Sequence, residues 1–320
     1  MNFCRIEIKH IDFSDFSFSL TPDNYPQKIP QHLKASIQRV GILHPPILKM
    51  ISETSFHIIS GRKRLWALSD LGYATCDCYT VHSDISDIEA LNISLEDSIF
   101  SHSLSPIEQA KYLHKANQYL AAKDLSTLYS SITSMPLTPY QVNQKLKLLE
   151  LEDPIQDAVH DKFLDEKVAL EMTEMLFRDR LALYDVISSL QLSTSNQRKL
   201  ISACRELAGR HKTTVSEILS GKDAEAVLTL PDANIPQKTT AFMRLLHKKR
   251  FPRLTEAEQI FNTFVSGLQL PDNISLIHAP SFEKDSIEMA ITFRNQQELI
   301  KTWQLIKPYC QKTAKGKHND

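Results

Sequence analysis

Residues 58–68 read Ile58-Ile59-Ser60-Gly61-Arg62-Lys63-Arg64-Leu65-Trp66-Ala67-Leu68. A short apolar stretch stops at a glycine, and three cations occupy the opening turn of a helical apolar pattern, which predicts a strand, a tight turn and a helix. A helix N-terminus carries unsatisfied N–H groups and the positive end of the peptide dipole, both of which favour anions. Arg62, Lys63 and Arg64 add side-chain charge to that end. Packing has no need of three consecutive cations there, so the stretch is a candidate anion site as well as a fold marker. The competing reading is a solvated helix start.

Working outward, Pro30 to Val40 places Leu33, Ile37 and Val40 on one side of a helix, with Gly41 as its stop. Pro45-Pro46 opens an extended run through Ile47, Leu48 and Met50, and Ser55 to Ser60 is a second strand. Gly72 ends the helix that follows Gly61, and Ala74 to Val81 is a third strand. Asp84 or Ser86 caps a helix through Ile88, Leu91 and Leu95. Residues 1–103 are thus expected to form a compact α/β domain.

From 104 to 220 strand signals vanish, and an all-α domain is expected. It opens at Ser105-Pro106, an N-cap with a first-turn proline, and it breaks at Asp124, Met135-Pro136, Pro154 and Leu192-Ser193. Pro231, Asp232, Asn234 and Pro236 mark 221–240 as a linker. A small C-terminal α+β domain is expected over 241–310. It would hold a capping box at Thr255 and Glu258, strands at 274–278 and 286–294, and a helix from Gln296 to Ile306. Residues 311–320 read as a disordered tail. The fold class is α+β multidomain.

Composition removes several function classes. The 320 residues include only seven glycines, and none have the spacing of G-x-G-x-x-G or of a phosphate-cradling P-loop. Five cysteines, scattered and odd in number, argue against a disulfide framework and for reduced thiols. Cys76-Asp77-Cys78 places two thiols on one face of a strand, where core packing outweighs a metal site. No apolar run reaches the roughly 18–20 residues that cross a bilayer, and no leader pattern opens the chain. The expectation is a cytoplasmic protein without a membrane partner. A net charge of -1 means that any nucleic-acid surface is local.

Two local surfaces qualify. Thr138-Pro139 is an N-cap with a first-turn proline, and the helix it opens would bury Val142, Leu146 and Leu149. Its other face would carry Tyr140, Gln141, Asn143, Gln144 and Lys147. Asn and Gln read adenine bidentately, while Tyr and Lys reach phosphates. A plain surface helix is the alternative. The second surface is Arg244, Lys248, Lys249, Arg250 and Arg253, with His247 and Phe251 interleaved and no acid inside the run. It would neutralise phosphates without reading sequence, or else be a solvated linker end.

Four blocks, in this order, resemble the ParB-type (ParB/RepB-like) partition protein family: Gly41-Ile42-Leu43-His44-Pro45-Pro46-Ile47; the stretch from Ile58 to Leu68; Glu89-Ala90-Leu91 through Leu104-Ser105-Pro106-Ile107-Glu108-Gln109-Ala110; and Val142 through Lys147-Leu148-Leu149-Glu150-Leu151. The resemblance runs from about Pro30 to about Met175. It implies a protein that reads double-stranded DNA with a helix-turn-helix in the middle domain, with Thr138 and the α-helix after it at the DNA. It further implies a C-terminal homodimer, a partner ATPase of the ParA type, a nucleoid-associated location, and a role in chromosome or plasmid partition, nucleoid organisation or regulation.

The N-terminal domain would be of the type that binds CTP with magnesium. The nucleotide-binding residues implied are His44, Gly61, Arg62, Lys63, Arg64, Asp97 and Ser98, with Asp97 the magnesium ligand. The motifs are degenerate. The family has glutamate after the glycine where this chain has Arg62, and glutamate, asparagine and a later arginine where it has Asp97, Ser98 and Ser101. No catalytic residue is assigned. The alternatives are a CTP-dependent nucleotide hydrolase or switch, and a protein-interaction adaptor that has lost both ligands.

Overall fold

The structure, a computed structural model, describes residues 1–22, 29–279, 282 and 286–315. The chain forms two compact units, residues 1–239 and 240–320.

The first unit is built on a five-stranded mixed sheet. Its elements begin with β1 (Asn2–Glu7), β2 (Ile11–Asp12), α1 (Gln31–Val40), β3 (Ile47–Ser52), β4 (Ser55–Ser60), α2 (Arg62–Asp70) and β5 (Thr75–Val81). The strand order is β1-β5-β3-β4-β2. β1 pairs antiparallel with β5, placing Cys4 opposite Cys78, and β3 pairs antiparallel with β4, placing Leu48 opposite Ile58. β3 runs parallel to β5, and β2 parallel to β4. Sequence patterning marks the three central strands; β1 and β2 are additions. β1 alternates half-buried Cys4 and Ile6 with exposed Phe3, Arg5 and Glu7, and Arg5 pairs with Asp77 at 2.7 Å. An edge strand with one wet face yields only that weak signal. Leu48, Ile58, Leu65, Ala67 and Cys78 pack as the core between the sheet and the helices.

A helical array follows: α3 (Asp87–Ser101), α4 (Pro106–Ala116), α5 (Ala122–Thr133), α6 (Pro139–Lys147), α7 (Asp153–His160), α8 (Glu166–Thr173), α9 (Phe177–Ser189), α10 (Thr194–His211), α11 (Val215–Leu219) and α12 (Lys222–Leu228). Capping boxes at Ser86, Ser105 and Thr138 start α3, α4 and α6. Asp124 lies in the first turn of α5, whose N-cap is Ala121, so α5 begins two residues before the expected cap. One continuous core joins Ile59 and Val81 of the sheet to Leu91, Leu95, Tyr112, Leu113, Leu125, Tyr129 and Val142. The boundary expected at 103–104 therefore falls inside packed structure, with α3 and α4 belonging to both sides.

Residues 221–240, expected as a linker, hold α12 and the start of α13 (Ile235–Arg250). The signs taken for a loop act as a helix start. Asn234 and Gln237 exchange two 3.0 Å hydrogen bonds between side chain and backbone, and Pro236 sits in the first turn.

The second unit contains most of α13, then α14 (Pro252–Gly267), the antiparallel pair β6 (Ile274–His278) and β7 (Ile287–Ile291), and α15 (Gln296–Lys315). The expected capping box at Thr255 is not used. α14 starts at Pro252, where proline fits the first turn, and the Thr255 hydroxyl donates back to Phe251 O at 3.0 Å. Residues 311–315, expected in the tail, continue α15; 316–320 lie outside the described residues. Among the described residues of this unit only Phe242 and Leu246 are buried. No described helix is long and apolar enough to cross a membrane.

Candidate functional sites

The turn at Gly61 fixes the first site. Gly61 adopts φ +89°, and a Cβ there would lie 2.8 Å from Pro46 Cβ and 2.9 Å from Pro46 Cα. Only glycine lets β4 leave the sheet this close to the 45–46 segment. The turn sets the first residues of α2 on the wall of a cleft of about 990 Å³. His44, Gly61, Arg62, Lys63, Arg64, Asp97 and Ser98 all line it, so the seven residues implied from separate sequence stretches meet in one place.

The three cations have different duties there. Arg62 donates from Nη1 to Phe13 O at 2.9 Å and from Nη2 to Asp15 O. Its guanidinium lies over the Phe16 ring, 4.2 Å from the centroid, with Trp66 at 5.6 Å. Burial pulls its pKa down while Asp15 and Asp12 oppose that. Arg62 thus ties the 13–16 loop to α2. Arg64 donates to His44 O and sets Nη2 3.6 Å from Asp97 Oδ2; burial lowers its pKa as well, against the pull of Asp97. Lys63 is exposed on the same turn.

Asp97 accepts a hydrogen bond from Ser60 on the oxygen that faces Arg64. Ser98 and Ser101 return their hydroxyls to the helix, donating to Ser94 O and Asp97 O at 2.8 Å. Among the described residues no group of three or more His, Cys, Asp or Glu side chains could hold a metal. The cleft supplies no cage for a resident ion. One carboxylate does suit a magnesium ion that arrives on phosphates, because magnesium keeps waters and takes one or two carboxylates besides phosphate oxygens.

Sequence reading missed further residues that line the same cleft, among them His102, Ser105, Glu108, His160, Asp161 and Lys162. Ser105 and Glu108 form the α4 capping box, with Glu108 Oε2 accepting from Ser105 N at 2.7 Å. His102 Nε2 is 2.9 Å from Glu108 Oε1, and His160 Nδ1 is 2.8 Å from Ser105 Oγ. The N-cap at Ser105 was read from the sequence; its juxtaposition with His160, 55 positions on, was not.

The second site is α6. It follows α5 after a five-residue connection, 134–138, in which Ser134 takes the left-handed conformation (φ 56°) in place of a glycine. Ser130 Oγ accepts from Leu137 N at 2.9 Å and sets the connection. Val142 and Leu148 are fully buried and Leu146 partly so. Leu149, the expected third apolar anchor, is half-buried, because a 3₁₀ turn over 148–150 puts Leu148 inward.

The opposite side of α6 lies in solvent. Tyr140 is 70% exposed, Thr138, Gln141 and Asn143 are exposed, and Gln144 is half-buried. Gln141 Oε1 also completes the capping box, accepting from Thr138 N at 2.9 Å. Lys147 is engaged as well. Its ammonium lies 2.6 Å from Glu174 Oε1, and that hydrogen bond raises the Lys147 pKa and lowers that of Glu174.

The third surface lies in the second unit. Arg244, Lys248, Lys249 and Arg250 occupy the latter half of α13, where cations suit the negative helix end, and Arg253 lies in the first turn of α14. The Arg250 guanidinium sits 4.9 Å from the Phe251 centroid.

Residues 6–99 match the family model of the ParB N-terminal domain. The nucleoid occlusion protein of Geobacillus sp. (strain WCH70) is 24% identical over 185 residues, covering 56% of this chain and 62% of that relative. The chain spans about half to three fifths of the length of the curated relatives it matches. Among solved structures, the C-terminally truncated chromosome-partitioning protein ParB from Caulobacter crescentus complexed to the centromeric parS site is similar with a TM-score of 0.32 and 16% identity. That match covers 61% of this chain and 96% of the other. The same truncated protein complexed with CTP-gamma-S gives a TM-score of 0.25 at 16% identity, covering 58% and 99%.

Proposed function

The chain is ParB-type by its N-terminal domain, residues 6–99, and on that premise we infer that it is a DNA-binding protein of the partition class. Duplex DNA is read by α6 as the second helix of a helix-turn-helix formed with α5. The observation that carries this reading is the division of α6. Val142 is fully buried, while Tyr140, Gln141 and Asn143 stand in solvent on the other side. A helix anchored this way presents base-reading amides and a phosphate-reaching phenol near its N-terminal end, the arrangement that suits a major groove. Arg244, Lys248, Lys249, Arg250 and Arg253 add sequence-independent attraction to phosphates.

The Gly61 cleft is the seat of a CTP-type nucleotide that regulates this binding. The N-terminal N–H groups of α2, Lys63 and Arg64 serve the phosphates, with His44 at the rim. Asp97, with Ser98 beside it, would hold magnesium, which would neutralise part of the phosphate charge when bound. Arg62 supports the site by holding the 13–16 loop. No residue of the cleft is assigned a catalytic role.

The second unit makes the homodimer. Its hairpin and helices leave Ile260, Phe264, Ile277, Ile287, Met289 and Trp303 about half exposed or more, and a two-stranded hairpin is marginal on its own. A second copy would cover that surface.

Chromatin immunoprecipitation with sequencing tests the DNA reading. The wild-type chain should give discrete peaks that vanish when Tyr140→Ala and Asn143→Ala are combined. Loss of the base-reading Asn143 alone would weaken the site by about 1–3 kcal/mol. Absence of enrichment for the wild-type chain would refute it.

A further inference from the structure

Three of the five cysteines, Cys4, Cys76 and Cys78, stand together on the β1–β5 ladder, and none of them lines the cleft or belongs to α6. Cys4 lies directly opposite Cys78, and Cys76 opposite Ile6. Opposed side chains of an antiparallel pair share a face, as do alternate residues of one strand, so all three thiols point to the core side of the sheet. We propose that Cys4 and Cys78 form a redox modification site: a peroxide joins them in a cross-strand disulfide, and a dithiol reopens it.

The register selects the pair. Opposed α-carbons of an antiparallel ladder lie about 4.5–5.5 Å apart, within the span of about 4.4–6.8 Å over which a disulfide closes. The ladder runs unbroken from Asn2 opposite Thr80 to Glu7 opposite Thr75. On either side of the cysteines it is fastened by the Arg5–Asp77 ion pair at 2.7 Å and by the Phe3 and Tyr79 rings, 5.4 Å apart. Cys76 is diagonal to Cys4, at about 7–8 Å, too far to be bridged without moving the backbone. Cys76 and Cys78 are alternate residues of one extended strand, and a bridge between them would buckle β5 out of its pairing with β1. Cys4 Sγ rests 3.5 Å from Thr80 Oγ1 on the same face, and a change of χ1 turns it to Cys78.

Exposure sets the order of events. β1 is an edge strand and Cys4 is half-buried, whereas Cys78 is fully buried. Its hydrogen bond to Cys76 and its burial push the Cys78 pKa up, which keeps it a thiol. Peroxide therefore reacts at Cys4. The sulfur takes one hydroxyl, the O–O bond breaks, and the other hydroxyl leaves as water with the thiol proton, giving a sulfenic acid. The Cys78 sulfur then attacks the Cys4 sulfur. The S–S bond forms, the S–O bond breaks, and hydroxide departs with the Cys78 proton as a second water. Two thiols are thereby oxidised by two electrons while one peroxide is reduced to two waters. A dithiol reverses the bridge by exchange and ends as its own disulfide. The bridge encloses about 75 residues and staples a strand that is paired on one side only, so it restrains the unfolded chain.

Hydrogen peroxide titrated into the full reduced chain, followed by alkylation of the remaining thiols and peptide mapping by mass spectrometry, tests this. The expected product joins the Cys4 and Cys78 peptides with the loss of two hydrogens, and dithiothreitol abolishes it. Calorimetry should show the Tm raised by roughly 5–15 °C in the bridged form and restored on reduction. Cys76→Ser should keep the bridge. Cys4→Ser, at a half-buried edge position that tolerates serine, should lose both the bridge and the response of the Tm to peroxide, so the test does not depend on the buried Cys78 accepting substitution. No bridge, a bridge to any other cysteine or between two chains, or Cys4 driven on to sulfinic acid with Cys78 still free overturns the assignment. A Cys4–Cys78 bridge that leaves the Tm unchanged overturns its role as a staple.

Discussion

Replacing Gly61 with alanine places a methyl group 2.8 Å from Pro46 Cβ and 2.9 Å from Pro46 Cα, at a residue whose φ is +89°. Two costs add. Left-handed backbone with a Cβ costs about 1–2 kcal/mol, offset by about 0.4–1 kcal/mol from the stiffer unfolded chain. Overpacking against a fixed proline ring costs roughly a further 1–3 kcal/mol. Gly72 separates these contributions, since its φ is +78° but nothing lies within 4 Å of its would-be Cβ. Gly72→Ala should therefore cost about 0.5–1.5 kcal/mol and Gly61→Ala about 2–4 kcal/mol. At about 2–4 °C per kcal/mol for a unit of this size, the Tm falls by roughly 5–15 °C for Gly61→Ala and by a few degrees for Gly72→Ala. Differential scanning calorimetry of the two variants beside wild type measures both. Equal losses would refute the claim that Pro46 closes on the turn, and the account of why α2 meets the cleft at that point would go with it.

Charge reversal of Lys248, Lys249 and Arg250 together should flatten the plot of log affinity for duplex DNA against log salt, by about 0.9 for each phosphate that is no longer neutralised. Fluorescence anisotropy across a salt series reads this, and an unchanged slope removes the cluster from the DNA-binding surface. Glu174→Gln should act in the opposite sense on α6. With its 2.6 Å partner neutralised, Lys147 becomes available to a phosphate, and the salt slope should steepen by about 0.9. Stability should move by less than about 0.5 kcal/mol, as expected for an exposed pair. A slope equal to wild type would mean that Lys147 never reaches DNA.

The local features of both main sites were legible in the sequence because each rests on short-range chemistry. Gly61 followed by three cations can only be a turn into a helix start, and Thr138-Pro139 can only open a helix whose apolar side includes Val142. What escaped depends on partners far along the chain. β1 is an edge strand paired with β5 some 68 to 78 positions away, and Phe3 on its exposed face obscures the alternation. Asn234 and Pro236 are ambiguous by nature, since the residues that favour loops also cap helices. Only the neighbouring helical sequence decides between them, and here it makes them the start of α13.

The same distinction explains why the three cations after Gly61 have unequal roles, which no linear pattern could reveal. A residue's position on the first turn of α2 is set locally, but its partner is chosen by tertiary packing. The 13–16 loop claims Arg62, Asp97 of α3 claims Arg64, and Lys63 lines the cleft from an exposed position. The departure of the family pattern at Arg62 then has a structural reading. A glutamate in its place could not donate to Phe13 O and Asp15 O, nor stack on Phe16, so the loop and the substitution belong together. α6 repeats the logic, with Gln141 and Lys147 placed by helical spacing on the solvent side yet engaged by the Thr138 cap and by Glu174. Both surfaces therefore hold some of their polar groups, Arg62, Arg64, Gln141 and Lys147, in internal hydrogen bonds that any ligand would have to outcompete. Such competition would cost affinity and make binding responsive to whatever loosens the internal partners.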